Sequence, residues 1–149
     1  MRRLSKVVNK QIGEILVERG VFSRAKLTEV LTFQKEKGIL FGEALVQMKM
    51  GTEEDIVQAL TCQYGFSYLP LANYEISPEV AATVPRGLCK QYCLVPIDKI
   101  GRSLTLAMAN PLNVHALEDV EKVTDCSVQT FISTATEINS AINRYYEMH

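Results

Sequence analysis

The sequence predicts an α+β chain: an N-terminal helical bundle of two repeated helix-turn-helix units, then a small α/β sandwich with a three-stranded mixed sheet. Three observations carry this. Apolar residues before Gly65 recur at helical spacing. The helical pattern repeats itself at an offset of 29 residues. After Gly65 the pattern changes to short β-type runs cut by Gly and Pro turns.

Each element has its own signal. Ile12, Ile15 and Leu16 form one helical face, and Gly20 stops that helix. Ser23 caps the next helix, which buries Leu27, Val30 and Leu31 and ends at Gly38. Phe41 to Val46 form a third helix before Gly51. Thr52-Glu53-Glu54-Asp55 is a cap with acids in the first turn, where they complement the positive helix end. Ile56, Val57, Ala59 and Leu60 supply the apolar stripe of the fourth helix, and Gly65 stops it.

Phe66 to Leu71 is an extended piece whose Pro70 restricts it to an edge or a loop. Ser77-Pro78-Glu79 starts a helix with proline in its first turn. Pro85 interrupts, and Gly87 to Tyr92 form a second short helix. Leu94–Ile100 and Leu104–Ala109 read as a β-hairpin around Gly101-Arg102, with Asn110-Pro111 as the following turn. Asn113 caps a helix to Val123, Ser127–Ile132 is a strand, and Thr134 to Glu137 are a capping box for the last helix. The strand-helix-strand run from 104 to 132 implies a right-handed parallel crossover, with the helices on one sheet face. The predicted domains are 1–66 and 67–149.

Composition narrows the function. The chain has 149 residues, of which 47% are apolar and 22% charged, with a net charge of −1. These values describe a globular protein with no global field toward nucleic acid or anionic lipid. No apolar run approaches the roughly 20 residues that span a bilayer. Met1 to Lys10 contain Arg2, Arg3, Lys6 and Lys10 but no apolar signal core, so a cytoplasmic location is expected. Cys89-x-x-x-Cys93 lacks two further ligands for zinc, and all four cysteines are expected as reduced thiols. No Gly-x-x-x-x-Gly-Lys-Ser/Thr loop occurs, so ATP hydrolysis is not expected of this chain. The second helix of each unit carries no row of Arg, Asn or Lys to read a DNA groove. His115 reads as solvated or capping at a helix start, Glu118, Asp119 and Glu121 as a solvated helix face, and Tyr145 and Tyr146 as packing, one inward and one at the edge.

The repeat is the most informative feature. Gln11-Ile12-Gly13-Glu14 aligns with Leu40-Phe41-Gly42-Glu43, Leu27 with Ile56, Leu31 with Leu60, and Gln34 with Gln63. The units span 11–34 and 40–63. Matched apolar positions are explained by a core. Gly13 and Gly42 are less easily explained. Each is expected one or two residues into a helix, where glycine costs about 1 kcal/mol relative to alanine, and where its missing side chain lets a backbone or ligand approach. Gln34 and Gln63 are each expected to end a second helix, offering a donor and an acceptor.

The tandem 24-residue motif resembles the cyclic di-GMP-binding N-terminal domain of pilus-assembly and type II secretion ATPases. The resemblance extends through Ile76–Val80, Val84-Pro85, Val95-Pro96, Leu104–Leu112 and Glu137–Tyr146. It implies a regulatory domain without catalysis of its own. The implied partners are an ATPase motor domain, in cis or in trans, and the cytoplasmic domain of an inner-membrane platform protein. No cofactor is required, and cyclic di-GMP is the implied ligand. The implied site residues are Gln11, Ile12, Gly13, Leu27, Leu31 and Gln34 in the first unit. In the second they are Leu40, Phe41, Gly42, Ile56, Leu60 and Gln63. One departure matters. The family's leading arginine is replaced by Gln11 and by Leu40, neither of which supplies a charged planar fork for a base or phosphate. Two charged contacts worth about 1.5–3 kcal/mol each are thereby lost, which favours the alternative of a pure protein-docking module.

Overall fold

The computed structural model describes residues 5–146, with side chains from Ile12 onward. The first unit consists of α1 (Ser5–Glu18) and α2 (Arg24–Lys37). The second consists of α3 (Phe41–Gln47) and α4 (Glu53–Tyr64). The sequence repeat extends to the hydrogen bonds. After α1 the Val21 N–H donates to the Leu16 carbonyl at 2.9 Å, and after α3 the Met50 N–H donates to the Leu45 carbonyl at 3.0 Å. The left-handed residue closing those turns is Gly20, at φ 80°, in the first unit and Lys49, at φ 59°, in the second. Ser23 and Thr52 cap α2 and α4 through their hydroxyls, each accepting at 3.2 Å from the amide three residues on.

Two helix ends differ from the sequence expectation. α1 begins at Ser5, so Gly13 sits in its interior rather than in its first turn. Nothing between Ser5 and Ile12 is Gly or Pro, so nothing stops the helix from extending backward. α2 runs three residues past Gln34 to Lys37, and only Gln63 lies near its helix end. The capping glycines Gly38 and Gly65 set both stops, and they are not spaced by 29.

The second half holds α5 (Pro78–Ala81), α6 (Arg86–Tyr92), β1 (Leu94–Ile100) and β2 (Ser103–Met108). It continues with α7 (Val114–Thr124), β3 (Ser127–Ile132) and α8 (Ala135–Tyr146). The sheet order is β1-β2-β3, antiparallel between β1 and β2 and parallel between β2 and β3. Pro96 lies on edge strand β1 beside a register shift, where a missing N–H costs least. Leu94 to Ile97 are all buried. Successive strand residues face opposite ways, so both faces of this end are covered, not one as expected. The extended piece before α5 runs along β3: Leu69 N–H donates to the Ile132 carbonyl and Ile132 N–H to the Ser67 carbonyl, both at 2.9 Å.

Tyr145 and Tyr146 both bond inward, against the expectation of one at the edge. The Tyr145 hydroxyl accepts from Ile76 N–H at 3.0 Å, and the Tyr146 hydroxyl donates to the Val84 carbonyl at 2.9 Å. They fasten α8 to the chain around α5.

The molecule has two hydrophobic cores. One lies among α1 to α4 and contains Leu16, Val30, Leu45, Ala59 and Leu60. The other lies around the sheet and contains Leu94, Leu104, Leu106, Met108 and Ile142. A few residues cross between them. Ile132 and Leu112, from the sheet half, pack in the helical core, and Leu40 packs against the sheet core.

Candidate functional site

The motif glycines have a steric role. A methyl added at Gly13 would lie 2.5 Å from Leu27 Cδ1, and one at Gly42 would lie 3.1 Å from Ile56 Cδ1. Both pairs are related by the 29-residue offset. In each unit the first helix passes so close to the second that a side chain at the glycine crowds the facing aliphatic residue.

A cavity of about 80 Å³ opens where the helical half meets the sheet half. Six of the twelve candidate residues line it: Ile12, Gln34, Leu40, Phe41, Gly42 and Ile56. Leu27 and Leu60 are buried core residues, and Leu31 is a half-buried residue against that core. Gly13 is buried at the α1–α2 contact, and Gln63 is exposed and away from the cavity. The side chains of Lys6, Lys10 and Gln11 lie outside those described, as do Arg2 and Arg3 altogether.

The remaining walls come from residues that sequence reasoning did not select: Glu43, Glu53, Val57, Tyr92, Ala109, Asn110, Asn113, Ser133, Thr134 and Ala135. Asn110 and Asn113 showed only turn and cap signals. Glu53 showed only a first-turn charge. No spacing rule connects positions so far apart in the chain.

The cavity's charged groups among the described residues are the carboxylates of Glu43 and Glu53. One Glu43 oxygen accepts from Leu40 N–H at 3.1 Å. The Glu53 carboxylate crosses to α8, accepting from Thr136 N–H at 2.9 Å and from its hydroxyl at 2.5 Å. Among the described residues no Lys or Arg lines the cavity. The buried Cys93 thiol is pushed up to about 12, first by burial and then by the charges of Glu43 and Glu53. Tyr92 donates to Asp119 at 2.6 Å, and its hydroxyl is pushed up to about 12 by that bond, then by burial and by the carboxylate charge. Asp119 is therefore half-buried and bonded, not part of a solvated face.

This arrangement can hold a guest by shape and hydrogen bonds. The Ser133 hydroxyl is committed to the Leu69 carbonyl at 2.7 Å, and exposed His115 lies 4.0 Å from Glu118 on α7. Cys89 and Cys93 are both buried in the sheet core, and no metal-sized group of His, Cys, Asp and Glu gathers among the described residues. No helix among them is long and apolar enough to cross a membrane.

Comparison with known proteins agrees with this architecture. The type IV pilus assembly ATPase PilB of Myxococcus xanthus is 29% identical over 136 residues, covering 91% of this chain and 24% of that protein. PilB of Thermus thermophilus is 31% identical over 140 residues, covering 93% of this chain and 16% of that protein. The chain thus spans a quarter or less of these relatives. A structure of MshE with cdg (cyclic di-GMP) superposes with a TM-score of 0.69 at 24% identity, covering 91% of this chain and 98% of that one. The N-terminal domain of XpsE superposes with a TM-score of 0.72 at 20% identity, covering 93% and 95%. Both share the fold. The MshEN domain matches residues 64–149, more than half of the sequence, and the chain belongs to the MshEN domain family.

Proposed function

We propose that this MshEN domain is the non-catalytic regulatory and docking part of a type IV pilus assembly or type II secretion ATPase system. It would act at the cytoplasmic face of the inner membrane. Its partners are an ATPase motor domain and the cytoplasmic domain of an inner-membrane platform protein. The observation that carries this reading is the position of the cavity: its walls come from both halves, so anything seated there or at its rim changes how the halves meet. The division at residue 66 belongs to the same proposal, with the repeat as one body and the sheet half as the other.

The charge of the cavity favours protein docking over tight nucleotide binding. Among the described residues Glu43 and Glu53 face it without a cationic side chain in the wall, and a doubly anionic dinucleotide would meet them. The volume of about 80 Å³ is also below the roughly 300–1,000 Å³ of ordinary ligand pockets. A second reading, cyclic di-GMP sensing, is favoured by one observation: Ile12 and Gln34 of the first unit meet Phe41, Gly42 and Ile56 of the second at one cavity. Calorimetric titration with cyclic di-GMP separates the two. The docking reading expects no saturable heat up to ligand concentrations of about 1 mM, and retention of the chain by the immobilised platform-protein domain. Micromolar binding that Gln34→Ala abolishes and Gln63→Ala leaves intact would establish the sensor instead.

A further inference from the structure

The first turn of α8 is where the parts of this molecule are joined. Its own capping box ties Thr134 to Glu137, with the Thr134 N–H donating to Glu137 Oε1 at 3.0 Å. From the extended piece after α4, the Tyr68 hydroxyl donates to Glu137 Oε2 at 2.8 Å. From the helical half, the Glu53 carboxylate accepts from the Thr136 amide and hydroxyl. Glu53 is the first residue of α4, and it also lines the junction cavity.

We propose that Glu53 is a latch that holds the two halves closed over the junction cavity, and that its release is the conformational step by which the domain is regulated. This rests on the reading of the junction as the regulated site. Three observations support it. The halves have separate cores, and α1 to α4 pack chiefly on one another, as do the elements after Gly65. Among the described residues the apolar crossing between them is confined to a few side chains, chiefly Leu40, Leu112 and Ile132. Glu53 has no ion-pair partner among the described residues, so α8's amide, its hydroxyl and the positive helix end hold the carboxylate. Water can replace each of these bonds. Such a latch is firm enough to define a closed state and weak enough for a partner to open.

The geometry couples the latch to the cavity. As closed, the cavity is too small for a drug-sized or nucleotide-sized guest. Moving α4's first turn away from α8 widens the same wall that Glu53 forms. The regulated property is then access: with the latch closed the junction admits little, and with it open the apolar floor of Phe41 and Ile56 is presented to a partner.

The test uses the whole chain, labelled at native Cys62, which is exposed on α4, and at Lys122→Cys, which is exposed on α7. Single-molecule energy transfer reads the distance between halves with no partner or nucleotide present. A failed docking experiment therefore leaves this measurement intact, and the converse also holds. Glu53→Ala is expected to raise the population of a longer-distance state about tenfold, the range of a lost cap. Glu53→Gln, which keeps an acceptor oxygen, and Thr136→Val, which keeps the amide, should each fall between Glu53→Ala and the parent. Glu14→Ala, a surface carboxylate paired with Arg24 inside the helical half, should match the parent. Circular dichroism confirms that each variant is folded. If Glu53→Ala gives the parent's distance distribution, or if Glu14→Ala shifts it equally, the latch is overturned. The two milder variants decide the matter if Glu53→Ala does not fold.

Discussion

At the scale of single residues, the motif glycines separate packing from function. The sequence marks them as costly inside a helix but does not say whether a ligand or a helix approaches them. The structure places Leu27 and Ile56 there. The two sites differ in slack, because Leu27 is buried and Ile56 half-buried. Gly13→Ala is therefore expected to destabilise by about 1 kcal/mol through overpacking, net of the helix propensity gained. Gly42→Ala should be neutral or slightly stabilising, because Ile56 can yield by a few tenths of an ångström. Urea unfolding of the two variants measures the difference. The buried thiols give a second prediction. Burial pushes Cys89 up to about 11 from its ordinary 9.0. Between those values the unfolded chain loses the proton while the folded chain keeps it. This contribution to stability is thus constant below pH 9 and falls as pH rises toward 11, by roughly 2 kcal/mol. Unfolding midpoints across that range should fall less steeply in Cys89→Ala.

At the scale of elements, the repeat was legible because it is local. Caps, stripes and stop glycines lie within a few residues of what they control. The misplaced ends show the limit of that legibility: α1 extends backward because no breaker opposes it, and α2 continues until Gly38 stops it. The covered second face of the sheet was also invisible, because Val95 and Ala107 read as ordinary hairpin residues until the chain packs against both sides. One departure within the repeat is itself informative. Gly20 closes the first turn in the left-handed region, and Lys49 is forced into the same region in the second. Side chains there cost about 1–2 kcal/mol in steric strain. Lys49→Gly should raise stability by roughly 0.5–1 kcal/mol, less than the full strain because glycine also loosens the unfolded chain. A thermal melt is sufficient to detect it. Removing a cap acts the other way: Thr52→Ala should cost about 1 kcal/mol.

At the scale of the whole molecule, the change of pattern at Gly65 was legible and the cavity between the two hydrophobic cores was not. Each half has a pattern of its own, but the cavity wall gathers positions 12, 43, 92, 110 and 134, which no local rule relates. Half of the candidate residues came together there because the repeat folds its helices around one point. Gly13, Leu27, Leu31, Leu60 and Gln63 became core or surface because the offset of 29 records homology between units, not exposure. Ile132 tests how far the halves depend on each other. It ends a strand of the sheet half yet is fully buried in the helical core. Ile132→Ala is expected to cost about 2–5 kcal/mol. Hydrogen exchange should then quicken in α1 to α4 more than in β1.

That placement of Ile132 also sets an order of events during synthesis. The helical repeat emerges from the ribosome first, with its local contacts ready to form. Its core stays incomplete until the chain has been made as far as residue 132, because Leu112 and Ile132 supply part of its packing. The early half therefore waits as a collapsed, under-filled bundle with an apolar surface still open. The growing chain supplies the missing pieces itself, so the last strand of the sheet half completes the core of the half made first.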